Sequence, residues 1–268
     1  GWIFPTDTSI NFALSQNSLL HSRPPSLEVQ QSNGEWRTLV PFLGFPNGKR
    51  KAVVVDLGTG DVGGTVRMRI PTNMQIYWDA ATLAVGKPRV PARWTHLEPR
   101  AADLHYRGFS RMIRRSPSDP HLFDYSQVDT TPRFRDLEGD YTRFGPVETL
   151  LTGADDRYVV MNAGDEMTVR FDARDLPEIP EGWRRDWILF TDGWVKDGDI
   201  HTSHSQTVEP LPYHGMSSYP DTPEHAYPDT KVHREYRQRF QTRAVTDAPF
   251  RSGLRERESE LDGEQPSG

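Results

Sequence analysis

The chain contains no cysteine. Disulfides, thiolate catalysis and cysteine-held zinc or iron–sulfur centres are therefore excluded. The absence leaves the compartment open. No apolar run approaches the roughly 20 residues that a membrane-crossing helix needs. There is no excess of positive charge either: 32 Lys and Arg against 38 Asp and Glu give a net charge of −6. That balance speaks against a general nucleic-acid binder and against electrostatic attachment to a membrane. Long helical patterns are scarce, because 22 prolines in 268 residues favour short strands and long loops. What is present is enough apolar material for a core, 35% of residues.

Strand signals dominate the first half. Residues 26–30 and 35–40 flank Asn33-Gly34 and read as a hairpin, with Asn-Gly at the centre of a tight type I′ turn. Residues 51–57 (K-A-V-V-V-D-L) read as a buried strand by their β-branched run. A glycine-rich turn follows at 58–64. Residues 65–70 then alternate, with Val66, Met68 and Ile70 on one face and Arg67 and Arg69 on the other. Strand signals recur at 74–85, 93–97, 102–112, 158–161 and 166–171, where Met167, Val169 and Phe171 point inward. Residues 116–132 read as a connection, and 146–151 as a helical turn with Pro146 at its first position. The apolar run 187–190 (W-I-L-F) reads as the last core strand. Residues 208–250 form an irregular, proline-rich arm carrying one helix at 229–243, and the polar tail 251–268 is expected to be disordered. Short strands separated by turn signals point to a mainly β fold, a jelly-roll-like sandwich at 1–100 and a second β-subdomain or a continuation of the sandwich at 101–207.

Several stretches, taken together, resemble the C-terminal region of bacterial FG-GAP/ASPIC–UnbV repeat proteins, the cartilage-acidic-protein-like family. They are G-W-I-F-P-T-D-T-S-I-N at 1–11, Q-I-Y-W-D-A at 75–80, Y-R-G-F-S at 106–110, and residues 136–145. Residues 155–166, 186–199 and V-E-P-L-P-Y-H-G-M at 208–216 complete the set. The resemblance covers roughly residues 1–220. It implies an accessory β-rich module of exported or surface proteins and no assignable activity. The family's calcium-holding propeller loops have the pattern D-x-D-x-D-G, which this chain lacks, so propeller and calcium functions do not carry over. The segments 51–57, 65–70 and 76–83 are also similar to a galactose-binding-like jelly roll.

The most informative stretch is D-W-I-L-F-T-D-G-W-V-K-D-G-D at 186–199, a strand-like run delivering aromatic and acidic residues to a loop. Asp192, Asp197 and Asp199 form a candidate hard-cation cluster, for which calcium is the fitting ion. Aspartates bonding their own turn explain the same pattern. His201 and His204 with Asp199 have the composition of an open three-ligand metal site, which would make a metal-dependent hydrolase; solvated loop histidines are the plainer reading. Trp194 and Lys196, with Trp78 and Asp79, could form a sugar-binding platform, against which stands the usual role of tryptophan in cores. Val232, Tyr236 and Phe240, spaced by four, form a stripe that would dock on a partner or pack on the chain's own sheet. Other catalytic patterns fail. Ser110 in G-F-S-R is not a nucleophile elbow, and the glycine-rich segment at 58–64 runs into a strand and lacks a P-loop lysine. The expected role is a non-enzymatic accessory subunit of a larger extracytoplasmic or membrane-associated assembly. Glycan binding and metal-dependent hydrolysis are the alternatives. The sequence opens on Gly1, so it reads as a processed form or a piece of something longer.

Overall fold

Alternating burial organises the first sheet. The computed structural model describes residues 2–3, 19, 23–46, 51–57, 67–84, 91–113, 115–116, 122–132, 135–194, 196, 207–216 and 226–263. The chain divides into two compact units. In the first (1–89, 112–124 and 198–203), β1 (Trp2–Ile3) pairs antiparallel with β5 (Ile76–Tyr77). There, β2 (Leu27–Gln30) is the centre of a three-stranded antiparallel sheet between β3 (Trp36–Val40) and β4 (Met68–Arg69). Leu27 and Val29 are buried while Glu28 and Gln30 are half-buried, the period of two that a strand with one covered face requires. Arg69 joins both neighbours: its Nε lies 2.5 Å from Glu28 Oε2, and its guanidinium sits 4.3 Å over the Trp36 ring.

The expected hairpin is present, but its turn is wider than a type I′ turn. Gly34 N–H donates to Gln31 O at 2.9 Å, and Gly34 itself takes φ +86°. A type I′ turn would need positive φ at both central residues. Among the described non-glycine residues only Asp156 has one, so Asn33 does not, and the glycine closes the loop after the turn.

The second unit (90–111, 125–197 and 204–268) is built around β6 (Pro99–Tyr106), which lies between β10 (Gly145–Pro146) and β11 (Asp165–Phe171), both antiparallel to it. Ala102 and Leu104 point to one face, opposite Val169 and Met167 of β11. They pack with Val147 and Leu150, the latter in a 3-10 turn at Glu148–Leu150, and with Tyr236 and Phe240 of helix α1 (Lys231–Phe240). A second pair joins β9 (Gly139–Thr142) to β12 (Gln241–Val245), which follows α1 directly. Tyr141, Val208 and Leu211 make a second buried cluster. β7 (Phe109–Ile113) pairs with β8 (Leu122–Asp129), of which only residues 109–111 and 125–129 fall in this unit, and α2 (Ala248–Gly263) ends the described chain. Gly164 allows the turn into β11. It takes φ +89°, and a Cβ there would meet Tyr106 Cε2 at 2.6 Å.

The described fold is mainly β, with antiparallel sheets and few helices. Several expectations are corrected. Residues 51–57 form no strand, and Val54 is 92% exposed. Residues 187–190 also form no strand and are exposed. In both cases a β-favouring run expresses local preference only, and no described strand pairs with it. Residues 93–97 and 158–161 are likewise outside strands, although Thr142 accepts the Val160 N–H through its hydroxyl at 2.7 Å. The connection 116–132 contains β8. Pro146 lies in β10 rather than at a helical N-terminus. Phe171 is exposed, unlike Met167 and Val169. The arm expected at 208–250 contributes Val208, Leu211, Tyr236 and Phe240 to the buried core. The tail expected to be disordered is helical to Gly263, tied at its start by Arg251 to Asp247 at 2.7 Å. Charge-rich composition suggested disorder, but Gly253 is buried against Thr131 and Pro132. The glycine-rich segment 58–64 lies outside the described residues.

Candidate functional site

A cavity of about 270 Å³ opens in the second unit. Its walls are largely apolar and include Leu150, Leu151, Val160, Met167 and Leu211, brought there from the 3-10 turn, the stretch after it, β11 and the 208–212 stretch. Asp192, Trp194 and Lys196 also line it, on alternating positions of one loop. Thus three of the sequence-predicted residues do gather at one place. Trp78 and Asp79 belong to the first unit and do not line this cavity.

The polar groups around the cavity are engaged with one another. His214 Nδ1 lies 2.6 Å from Asp156 Oδ1, and its Nε2 lies 3.2 Å from Asp192 Oδ2. The His214 backbone N–H donates to the same Asp156 oxygen at 2.8 Å, and the Tyr158 hydroxyl donates to it at 3.0 Å. Tyr227 donates its hydroxyl to the Asp156 carbonyl oxygen. Asp156 takes φ +66°, a left-handed conformation that aspartate tolerates better than most residues. Arg157 pairs with Asp155. Lys196 Nζ donates to the carbonyl oxygens of Thr207, Val208 and Glu209 at 2.7, 3.1 and 3.3 Å. The ammonium expected to face a sugar therefore ties the 207–209 backbone to the loop.

These contacts shift the titrations. Hydrogen bonds that the imidazole donates to Asp156 and then to Asp192 raise His214 above its ordinary 6.5. For Asp156, burial works towards a higher value, but the His214 and Tyr158 hydrogen bonds together outweigh it and hold the carboxyl below 3.8. Burial pushes the Tyr158 and Tyr227 hydroxyls up. A raised histidine stabilises the fold below its unfolded value and loses that contribution as pH rises through the folded one. A lowered aspartate contributes above its unfolded value and loses that as pH falls through the folded one. The pair is thus strongest between about pH 4 and 6.5. His214→Gln is expected to cost more stability at pH 5.5 than at pH 8.5 in urea unfolding. Equal costs at both would show that the ion pair contributes nothing.

Asp197, Asp199, His201 and His204 lie outside the described residues, so the proposed metal cluster is described only at Asp192, which faces His214. Among the described residues no group of three His, Asp or Glu side chains is placed to hold a metal ion. The stripe on α1 divides: Tyr236 and Phe240 are buried in the chain's own core, and Val232 is exposed. Positions four apart drift around a helix of 3.6 residues per turn, so three of them need not share one covered face. This corrects the partner-docking reading for Tyr236 and Phe240.

Sequence reasoning missed Asp156, Tyr158 and Tyr227. The available signal was D-D-R-Y at 155–158, an aspartate pair of the kind that turns a chain. No protein-family model, curated protein or solved structure matches the chain. Among the described residues no helix is long and apolar enough to cross a membrane.

Proposed function

We propose that the protein is a non-catalytic interaction module, an accessory subunit that docks through residues 187–190. One observation carries this reading. Trp187, Ile188, Leu189 and Phe190 are 64, 73, 69 and 85% exposed in an unbroken run. Isolated exposed apolar residues are ordinary, but a contiguous patch is characteristic of a surface that another molecule covers. The run forms no backbone–backbone hydrogen bond with a described residue, so no ladder holds it to the body of the unit.

The cavity supports the non-catalytic side of the reading. Both nitrogens of His214 face carboxylates, which leaves neither free to take a proton from a substrate. The Lys196 ammonium, which a glycan site would use, is engaged with three backbone carbonyls. The likeness to FG-GAP/ASPIC–UnbV proteins fits an accessory role in an extracytoplasmic or membrane-associated assembly.

Native mass spectrometry of the gently purified protein tests this. A stoichiometric complex is expected, and Ile188→Asp with Leu189→Asp should abolish it without lowering Tm, because the replaced side chains contact water. A complex that survives the double substitution would overturn the docking surface.

A further inference from the structure

We propose that two copies of this chain pair with each other, each inserting Phe190 into the cavity of the other beside Trp194. The inference rests on the docking reading above and names its partner.

The chain carries both halves of the contact. The walls of the cavity of about 270 Å³ are mainly apolar, and the charged groups that share them are already paired internally. A charged occupant would therefore find no free counter-charge there, whereas an uncharged apolar group would lose nothing on entry. An engineered protein cavity of about 150 Å³ holds benzene, so a space of this size accepts an aromatic ring. Phe190 is the most exposed residue of the run, at 85%.

The positions of the two halves select a second copy over another occupant. Phe190 is two residues before Asp192, which lines the cavity. A projection beside its own matching recess suits a two-fold axis, because each copy then offers both halves on one patch and the pair closes. The area also suffices. The four exposed side chains offer roughly 500 Å² per copy, so a reciprocal contact would cover about 1,000 Å² in all, the lower bound for a specific interface. Contacts of this size are typical of weak, transient pairing, so the test is centred on a dissociation constant on the order of micromolar.

Sedimentation velocity on the full chain over a range bracketing that value is the test. The wild type should convert from monomer to dimer. Phe190→Asp, which removes the projection, and Leu151→Trp, which fills the recess, should each remain monomeric with an unchanged far-ultraviolet circular dichroism spectrum. Mixed together, these two variants should form a heterodimer weaker than the wild-type dimer, because one insertion survives. Indole, used as a soluble apolar probe, should dissociate the wild-type dimer, and it keeps the recess testable if Leu151→Trp fails to fold. A dimer indifferent to both Phe190→Asp and indole would overturn the proposal. A wild type that stays monomeric throughout would do the same. If such a monomer still loses a different protein partner on the Ile188 and Leu189 substitutions, self-pairing fails and the docking surface stands; if no complex of either kind depends on the run, both fail.

Discussion

Phe240→Ala is expected to lower the unfolding free energy of the second unit by about 3–5 kcal/mol, the range for removing a buried aromatic ring. Phe240 is 5% exposed and ends α1 against Ala102, Leu104, Val147, Leu150 and Tyr236. Its ring lies 6.3 Å from that of Tyr236, and the guanidiniums of Arg143 and Arg239 stand 5.1 and 5.0 Å over it. Removing the ring would open a cavity and leave two cations without their aromatic face. The neighbourhood cannot easily collapse, because the Phe240 carbonyl accepts the Arg143 N–H at 2.7 Å and the chain passes straight into β12. Val232→Ala on the same stripe removes a side chain that is 52% exposed, and should change stability by less than about 0.5 kcal/mol. Denaturant midpoints followed by a core-sensitive signal separate the two cases. Similar small effects at both positions would mean that α1 is a docking helix after all, not part of the core.

That contrast shows what a sequence can and cannot reveal. The helix was legible because apolar residues recur at helical spacing, and Thr230 caps it by accepting the His233 N–H at 3.4 Å. Which side of the stripe is covered was not legible, because it depends on β6, more than a hundred residues earlier in the chain. The strands β2 and β3 were legible through the turn that joins them, and β11 through its alternation, although its partner β6 lies far away in the chain. The runs 51–57 and 187–190 carry equally strong β-forming residues, yet sequence preference contains no information about a partner strand. The cavity was half legible. Asp192, Trp194 and Lys196 stand out as a loop cluster, but Asp156 and His214 meet across 58 residues of chain through a left-handed aspartate that composition does not announce.

Arg243→Met is expected to cost about 3–5 kcal/mol, because it leaves a buried carboxylate without its cation. The Asp165 side chain has no exposed surface and that of Arg243 is 18% exposed, with Nη2 2.5 Å from Asp165 Oδ2. Arg243 also donates to Asn162 Oδ1 at 3.1 Å and to Thr142 O at 2.9 Å, and its guanidinium lies 4.3 Å over Phe144. One side chain thus joins β12, β9 and the turn that starts β11, and Asp165 holds the same turn by accepting the Asn162 N–H at 2.9 Å. Burial raises the pKa of nearby Asp136, and the Asp165 charge adds to that rise, so the carboxylates here depend on Arg243 for compensation. Asp165→Asn should cost less than Arg243→Met, about 1–3 kcal/mol, because the amide oxygen can still accept the turn's N–H and no buried anion remains. The double variant should cost well below the sum of the two, since the second change then removes a partner already lost. Chemical denaturation of the four proteins at one pH measures the coupling directly. Additive costs would place Arg243 and Asp165 in separate interactions, whereas a sub-additive double variant locates much of this unit's resistance to unfolding in one ion pair that links the helix–strand end of the chain to its central sheet.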